Sequence, residues 1–214
     1  IYFSKYDPGA ESDFIYSVDQ NGENERPLID SCPEGGHFCT LIPVGVSPDG
    51  EFILFNSRAY RKAYMIRNNG KDLQKIDGDE ALFFSPNGKY ICLFNEREKI
   101  VTIRNGQDLR KSKEFTISKD FRGPLQFSPD GKFLQIIDKN SEVYNFDPET
   151  GKIVGEKIAN PGFFSPDGEK VLWFDANGVF IANSDGKNYL HLENMKNKPS
   201  WSLDSKSLLV VVRI

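Results

Sequence analysis

The residues of this sequence that could ligate a metal are few, and one short stretch holds three of them. Cys32, His37 and Cys39 fall within eight residues, and thiolates and imidazoles are ligands that zinc prefers. A structural zinc site needs a fourth ligand. Glu34 could supply it, but the paired Cys-x-x-Cys spacing of such sites is absent. We therefore predict no metal site.

Nucleophilic hydrolysis is the second chemistry to consider, and it needs a serine or cysteine beside a base, usually histidine. The sequence has two histidines, His37 and His191, and lacks the Gly-x-Ser-x-Gly turn that presents a nucleophilic serine. Ser47 comes nearest, in Gly-Val-Ser-Pro-Asp, but the second glycine is displaced. Glycine-rich phosphate loops and the EF-hand pattern are also missing. We predict no catalytic residue and no cofactor, and therefore a protein that is not an enzyme.

Charge and composition exclude two further classes of partner. The formal net charge is −4, from 27 basic and 31 acidic residues, whereas nucleic acids and anionic membranes select basic surfaces. No stretch approaches the roughly twenty apolar residues that a membrane-spanning helix needs. We predict neither a nucleic-acid partner nor a membrane span. Cys32 and Cys39 share one loop and could pair in an exported protein, whereas Cys92 lies in an apolar segment and is predicted to be a buried thiol.

Ser47 belongs to a motif that recurs five times, and this explains the serine better than catalysis does. Four copies read aromatic or valine, then Ser-Pro-Asp/Asn-Gly, and the last is degraded to Trp-Ser-Leu-Asp-Ser. Proline presets φ, and Asp, Asn and Gly tolerate left-handed backbone, so each copy predicts a tight turn between two strands. The serines lie about 37 to 43 residues apart, at Ser47, Ser85, Ser128, Ser165 and Ser202.

The elements around each turn repeat as well. The strand after each turn is almost continuously apolar, which is typical of a sheet covered on both faces. A third strand follows and ends at a glycine turn, usually Asn-Gly or Asp-Gly, and a more polar fourth strand suits an exposed sheet edge. The second strands are predicted at residues 52–55, 90–94, 133–137, 171–174 and 208–212.

Four antiparallel strands in about forty residues, repeated along the chain, are the blades of a β-propeller. We predict an all-β fold, a single β-propeller domain over residues 1–214 built from four-stranded antiparallel blades, with a β-sandwich as the alternative packing. Five blades are preferred, the last taking its inner strands from the C-terminal end and its outer strands from the N-terminal end. The extra strand at residues 1–4 supports the alternative, an excised part of a ring of six to eight blades.

The segment Phe-Ser-Pro-Asp-Gly-Lys-Phe-Leu at residues 127–134 resembles the first two blade strands of TolB-like and WD-repeat propellers. The resemblance covers essentially the whole chain. The TolB-like form is closer, because the Gly-His and Trp-Asp dipeptides of WD repeats are absent. Families with this motif include protein-interaction scaffolds, periplasmic translocation components and the gating propellers of prolyl-oligopeptidase-like enzymes, so the resemblance implies the architecture and leaves the function open.

Two connections are longer than the repeat requires, and binding residues are often found on such loops. The first, between Gly22 and Ser47, contains His37 and Phe38; the second, before Ser128, contains Phe121 and Arg122. We predict that these four residues bind a protein or peptide partner on one rim of the disc, and that the chain is a non-catalytic scaffold. The alternative is an accessory gating propeller of a larger prolyl-oligopeptidase-like hydrolase, with the catalytic domain outside this chain.

Overall fold

The computed structural model of the protein describes residues 1–36, 39–76, 80–106, 108–158, 162–175, 177–193, 199–202 and 205–210. Every regular element in these ranges is a β-strand. Nothing in them forms a helix with the length and apolar character that crossing a bilayer requires.

The strands form six sheets that follow one another along the chain, each hydrogen-bonded in chain order. The first contains β1 (Tyr2–Asp7), β2 (Ser12–Ser17) and β3 (Arg26–Ile29). The second contains β4 (Leu41–Val46), β5 (Phe52–Ser57), β6 (Lys62–Arg67) and β7 (Gln74–Ile76). The third contains β8 (Glu80–Phe84), β9 (Tyr90–Asn95), β10 (Ile100–Asn105) and β11 (Ser112–Thr116).

The remaining strands make three sheets. The fourth sheet contains β12 (Phe121–Phe127), β13 (Leu134–Asp138), β14 (Val143–Phe146) and β15 (Ile153–Ile158). The fifth contains β16 (Phe163–Phe164), β17 (Lys170–Asp175), β18 (Gly178–Asn183) and β19 (Leu190–Glu193), and the sixth is the hairpin of β20 (Pro199–Trp201) and β21 (Leu208–Val210). The predicted all-β fold of antiparallel, four-stranded propeller blades is confirmed.

Four repeat motifs form the hairpins that open the second to fifth sheets, and the described residues of the fifth motif lie between the paired strands β20 and β21. We call these five segments the serine turns. In the fourth sheet, Phe127 pairs with Leu134 across the turn. The Ser128 hydroxyl donates to Asp130 Oδ1 (2.7 Å) and accepts the Phe133 N–H (2.9 Å). The turns at Ser47 and Ser165 repeat this pattern. The repeated serine therefore closes a turn, as its spacing predicts.

Strand β1 takes the place that a second strand has in the other sheets. It pairs with β2 from Tyr2↔Ser17 to Asp7↔Ser12, and β2 pairs with β3 on its other side. Both edges of β2 are thus occupied within the first sheet. The strand expected at residues 1–4 is present and extends to Asp7.

The chain divides into two compact units. Unit 1 comprises Ile1–Phe84, Gly88–Asn95 and Thr102–Ser112; unit 2 comprises Ser85–Asn87, Glu96–Val101 and Lys113–Ile214. A single domain over residues 1–214 stays a prediction, and the two units are described separately below.

Apolar side chains fill the space between consecutive sheets within each unit. In unit 1, Ile15 of the first sheet and Phe55 of the second share one buried cluster, and Leu54 and Ile91 share the next. In unit 2, Val143 of the fourth sheet packs with Trp173 of the fifth. Covering both faces explains why the second strands are almost continuously apolar.

Side-chain amides also join neighbouring sheets to each other's main chain. In unit 1, Asn56 donates to the Ala81 carbonyl (2.8 Å) and accepts the Ala81 N–H (2.9 Å). In unit 2, Gln126 donates to the Gly162 carbonyl (2.9 Å) and Asn145 to the Ser184 carbonyl (2.8 Å). These bonds fix the position of one sheet against the next, which apolar contact alone does not.

Serine turns of consecutive sheets contact one another inside unit 2. The Asn87 side-chain amide donates to the Asp130 carbonyl (3.1 Å), and the Asp167 N–H donates to Ser205 Oγ (3.0 Å). Between them, a Cβ atom on Gly168 would lie 3.2 Å from Pro129 Cβ. The turns therefore form a contiguous series along one end of the strands.

Candidate functional site

The predicted binding residues His37 and Phe38 lie outside the described residues, but the chain on either side of them is described. This connection joins β3 to β4 and is attached to the first sheet. The Cys39 N–H donates to Ser12 Oγ (2.8 Å), and the Asp13 N–H donates to the Cys39 carbonyl (2.8 Å). Thr40 then forms a parallel bridge with Asp13. The C-terminal part of the connection is thus held by main-chain bonds.

The N-terminal part of the connection is held by side chains of the second sheet. Tyr64, which is buried, donates its hydroxyl hydrogen to Glu34 Oε1, and Lys75 Nζ lies 2.9 Å from the same oxygen. These two donors lower the pKa of the Glu34 carboxyl, Tyr64 contributing most. Gly36 lies so close to the Tyr60 hydroxyl that a Cβ atom there would collide with it.

Cys32 and Cys39 both lie in this connection. Cys39 is fully buried, and Cys32 packs against the same apolar cluster. Both are free thiols in the structure. Across the described ranges, no three His, Cys, Asp or Glu side chains are grouped as metal ligands would be.

The other two predicted binding residues, Phe121 and Arg122, begin β12 in unit 2. The Phe121 ring is half-buried and packs edge-on against Tyr144 (5.2 Å between ring centres) and Phe146 (5.6 Å). Arg122 is exposed, and its Nη2 donates to the Lys139 carbonyl (3.0 Å). The Phe121 ring therefore packs within its own sheet, whereas the charged side chain of Arg122 is exposed to solvent. Binding at all four residues stays a prediction.

A different feature of unit 2 has the form of a binding site, an apolar pocket of about 430 Å³ at the serine turns of the fourth and fifth sheets. We call it the aromatic pocket. Its described lining is Pro129, Phe163, Phe164, Ser165, Pro166, Leu172, Pro199, Ser200 and Trp201.

Strands β16 and β20 shape the aromatic pocket. The Trp201 indole N–H donates to the Phe163 carbonyl (2.9 Å), which bridges the fifth and sixth sheets and satisfies the polar atom of the indole. Phe163 remains 47% exposed. None of the described residues that line the pocket carries a charge. The pocket therefore suits an uncharged, apolar group, and its volume is in the range of small ligand sites.

The sequence contains a signal for this pocket besides the repeat. Aromatic residues at Phe163, Phe164 and Trp201 occur in first strands, close in sequence to the motif proline Pro166 or to Pro199. These aromatic residues line one pocket with Pro166 and Pro199 only because the consecutive sheets lie side by side.

Comparisons with known proteins support the architecture but identify no family. No protein-family model matches the chain, and no curated protein matches it. Among solved structures, 960 chains match, and so many matches indicate a widespread architecture. One is Kuenenia stuttgartiensis hydrazine synthase, 14% identical with a TM-score of 0.52 over 76% of this chain and 53% of that chain. The chain thus spans about half the length of that neighbour, and the likeness concerns the fold alone.

Proposed function

We propose that the chain is a non-catalytic propeller scaffold of the TolB-like group that binds a protein partner through an extended peptide segment in the aromatic pocket. The observation that carries the proposal is the exposed aromatic and proline lining at the serine turns of unit 2. Solvent-exposed apolar surface with a concave shape is typical of binding sites. The binding surface is proposed at the serine turns of unit 2, at the end of the strands opposite the β11–β12 connection.

The chemistry of the lining favours an apolar peptide over a charged metabolite. Grooves lined by aromatic rings bind extended, proline-containing peptides, because these lose little conformational entropy on binding. Phe163 and Trp201 supply such rings, and no described lining residue offers a charge to pair with a phosphate or carboxylate. An aliphatic or proline side chain of a partner would fill the pocket.

The arrangement of Ser165 supports a binding role without catalysis. Its hydroxyl donates to Asp167 Oδ1 (2.6 Å) and accepts the Lys170 N–H (3.0 Å), so the turn engages it fully. A nucleophilic serine usually needs a histidine as its base. Here the hydroxyl donates instead to the Asp167 carboxylate, which also accepts the Glu169 N–H (3.1 Å).

The test is a selection of displayed random peptides on the immobilised full chain, followed by titration of the enriched peptide, labelled with fluorescein, by fluorescence anisotropy, a readout that does not use Trp201. We expect Trp201→Ala to weaken binding at least about 30-fold, as for a central aromatic contact. Phe163→Ser should also weaken it without loss of stability, since Phe163 is half-exposed.

The matched control is Tyr189→Ala, which removes an aromatic ring 68% exposed in unit 2 that does not line the pocket. Its affinity should stay within about twofold of the parent, as for residues outside a binding hot spot. Failure to enrich any peptide, or equal affinities for Trp201→Ala and Tyr189→Ala, would contradict the proposal.

A further inference from the structure

The two cysteines of the β3–β4 connection are placed differently from the third cysteine of the chain. Cys92 is fully buried within β9. Cys32 and Cys39 belong to one apolar cluster at the edge of unit 1, and Cys32 is partly exposed. Cys32 is therefore partly accessible from solvent, while Cys39 is buried.

The two thiols belong to the same apolar cluster and influence each other electrostatically: the neighbouring Cys32 raises the pKa of the Cys39 thiol, whose Sγ also lies 3.8 Å from Ser57 Oγ. A turn bond from the Gly35 N–H to the Cys32 carbonyl (2.9 Å) bends the chain just after Cys32. Cys39 is held from the other side by Ser12 and Asp13.

We propose that Cys32 and Cys39 are a thiol–disulfide modification site, oxidised to an intramolecular disulfide by a low-molecular-weight disulfide such as oxidised glutathione. The bond would close the eight residues from Cys32 to Cys39, the segment in which the sequence places His37 and Phe38. It would close the connection into a covalent ring whose Cys39 end is hydrogen-bonded to the first sheet.

The reaction proceeds in two thiol–disulfide exchanges. The Cys32 thiolate attacks a sulfur of oxidised glutathione, which forms a mixed disulfide and releases one glutathione thiolate. Cys39 then loses its proton to solvent and attacks the Cys32 sulfur, which forms the Cys32–Cys39 bond and releases the second glutathione. Two protein thiols are oxidised and one glutathione disulfide is reduced to two thiols.

The order of attack follows from burial. Burial raises the pKa of the Cys39 thiol to about 12, with the neighbouring Cys32 adding to the effect. The more accessible Cys32 is therefore the entry point for the oxidant, and Cys39 is the resolving thiol.

The experiment uses the full chain, incubated with oxidised glutathione, blocked with N-ethylmaleimide and analysed by intact mass and peptide mapping. We expect the loss of two hydrogen atoms, a Cys32–Cys39 cross-linked peptide, and Cys92 recovered as the alkylated thiol. Dithiothreitol should restore three thiols. Cys92→Ala, the matched control, should still form the bond, whereas Cys32→Ser should not.

A second readout does not depend on the variants. The oxidised wild-type chain should unfold about 4–8 °C higher than the reduced chain, since closing a short loop restricts the unfolded state. A stable glutathione adduct at Cys32, disulfide-linked dimers, or three unmodified thiols after incubation would each overturn the proposal. An unchanged unfolding temperature of cross-linked protein would overturn the claim that the bond fixes the connection.

Discussion

The serine of the repeat can be tested directly by Ser128→Ala. Ser128 is fully buried, and its hydroxyl joins Asp130 to the Phe133 N–H. Losing a neutral hydrogen bond costs about 0.5–1.5 kcal/mol, and a buried donor left without its acceptor costs about 1–3 kcal/mol. Removal of a single oxygen atom leaves little cavity. We therefore expect the free energy of unfolding to fall by about 2–3 kcal/mol.

The assay is urea unfolding followed by circular dichroism and by the fluorescence of Trp173, which is buried in the fifth sheet. In thermal scans the midpoint should fall by about 4–10 °C. The matched control is Ser118→Ala, because Ser118 is exposed and its hydroxyl makes a long bond to Asp120 (3.3 Å). It should change stability by less than about 0.5 kcal/mol. If Ser128→Ala unfolds like the control, the hydroxyl does not hold the turn and our account of the repeat is wrong.

Two further predictions concern close packing and acid sensitivity. Gly106→Ala should clearly lower the unfolding temperature, because the new Cβ atom would lie 2.2 Å from the Gly88 carbonyl oxygen. The control Gly45→Ala should be tolerated, since its Cβ atom would lie 3.9 Å from its nearest neighbour. Scanning calorimetry of both variants tests this. The pKa of Asp167 is lowered from its ordinary value of 3.8, first by the hydrogen bond from Ser165. The hydrogen bond stabilises the fold at pH values above 3.8, and this stabilisation is lost as the pH falls through the lower pKa of the folded state. The unfolding temperature of Asp167→Asn should therefore depend less on pH below about 4 than that of the wild type.

The blades could be predicted from the sequence because their signals are local. Proline, Asp or Asn, and Gly in the motif determine four of the five serine turns without reference to distant residues. The apolar run that follows specifies a strand covered on both faces, and the predicted segment 90–94 became β9 (Tyr90–Asn95) with a buried Cys92. The polar fourth strands are equally local, and β15 is exposed along most of its length.

What the sequence did not reveal depends on partners from other strands and other sheets. Gln135 lies in a run otherwise apolar, yet it is fully buried and donates to Asn145 (3.2 Å) while accepting from Gln126 (2.9 Å). Its partners are amides whose positions depend on strand register. The aromatic pocket was missed for the same reason, since Phe163 and Trp201 meet only across two sheets. Phe121 was predicted to bind a partner, but a hydrophobicity pattern cannot distinguish that role from packing on Tyr144.

The contiguous series of serine turns restricts where this protein can accept new sequence. An extra residue in one turn would move it away from the neighbouring turn. Hydrogen bonds between turns, such as Asn87 with Asp130 or Asp167 with Ser205, would then be lost. The connection from β11 to β12 lies at the opposite end of the strands, where lengthening displaces nothing in that series. Evolution, or an engineer grafting a foreign epitope, would therefore find one end of the unit 2 sheets open to insertion and the other closed to it.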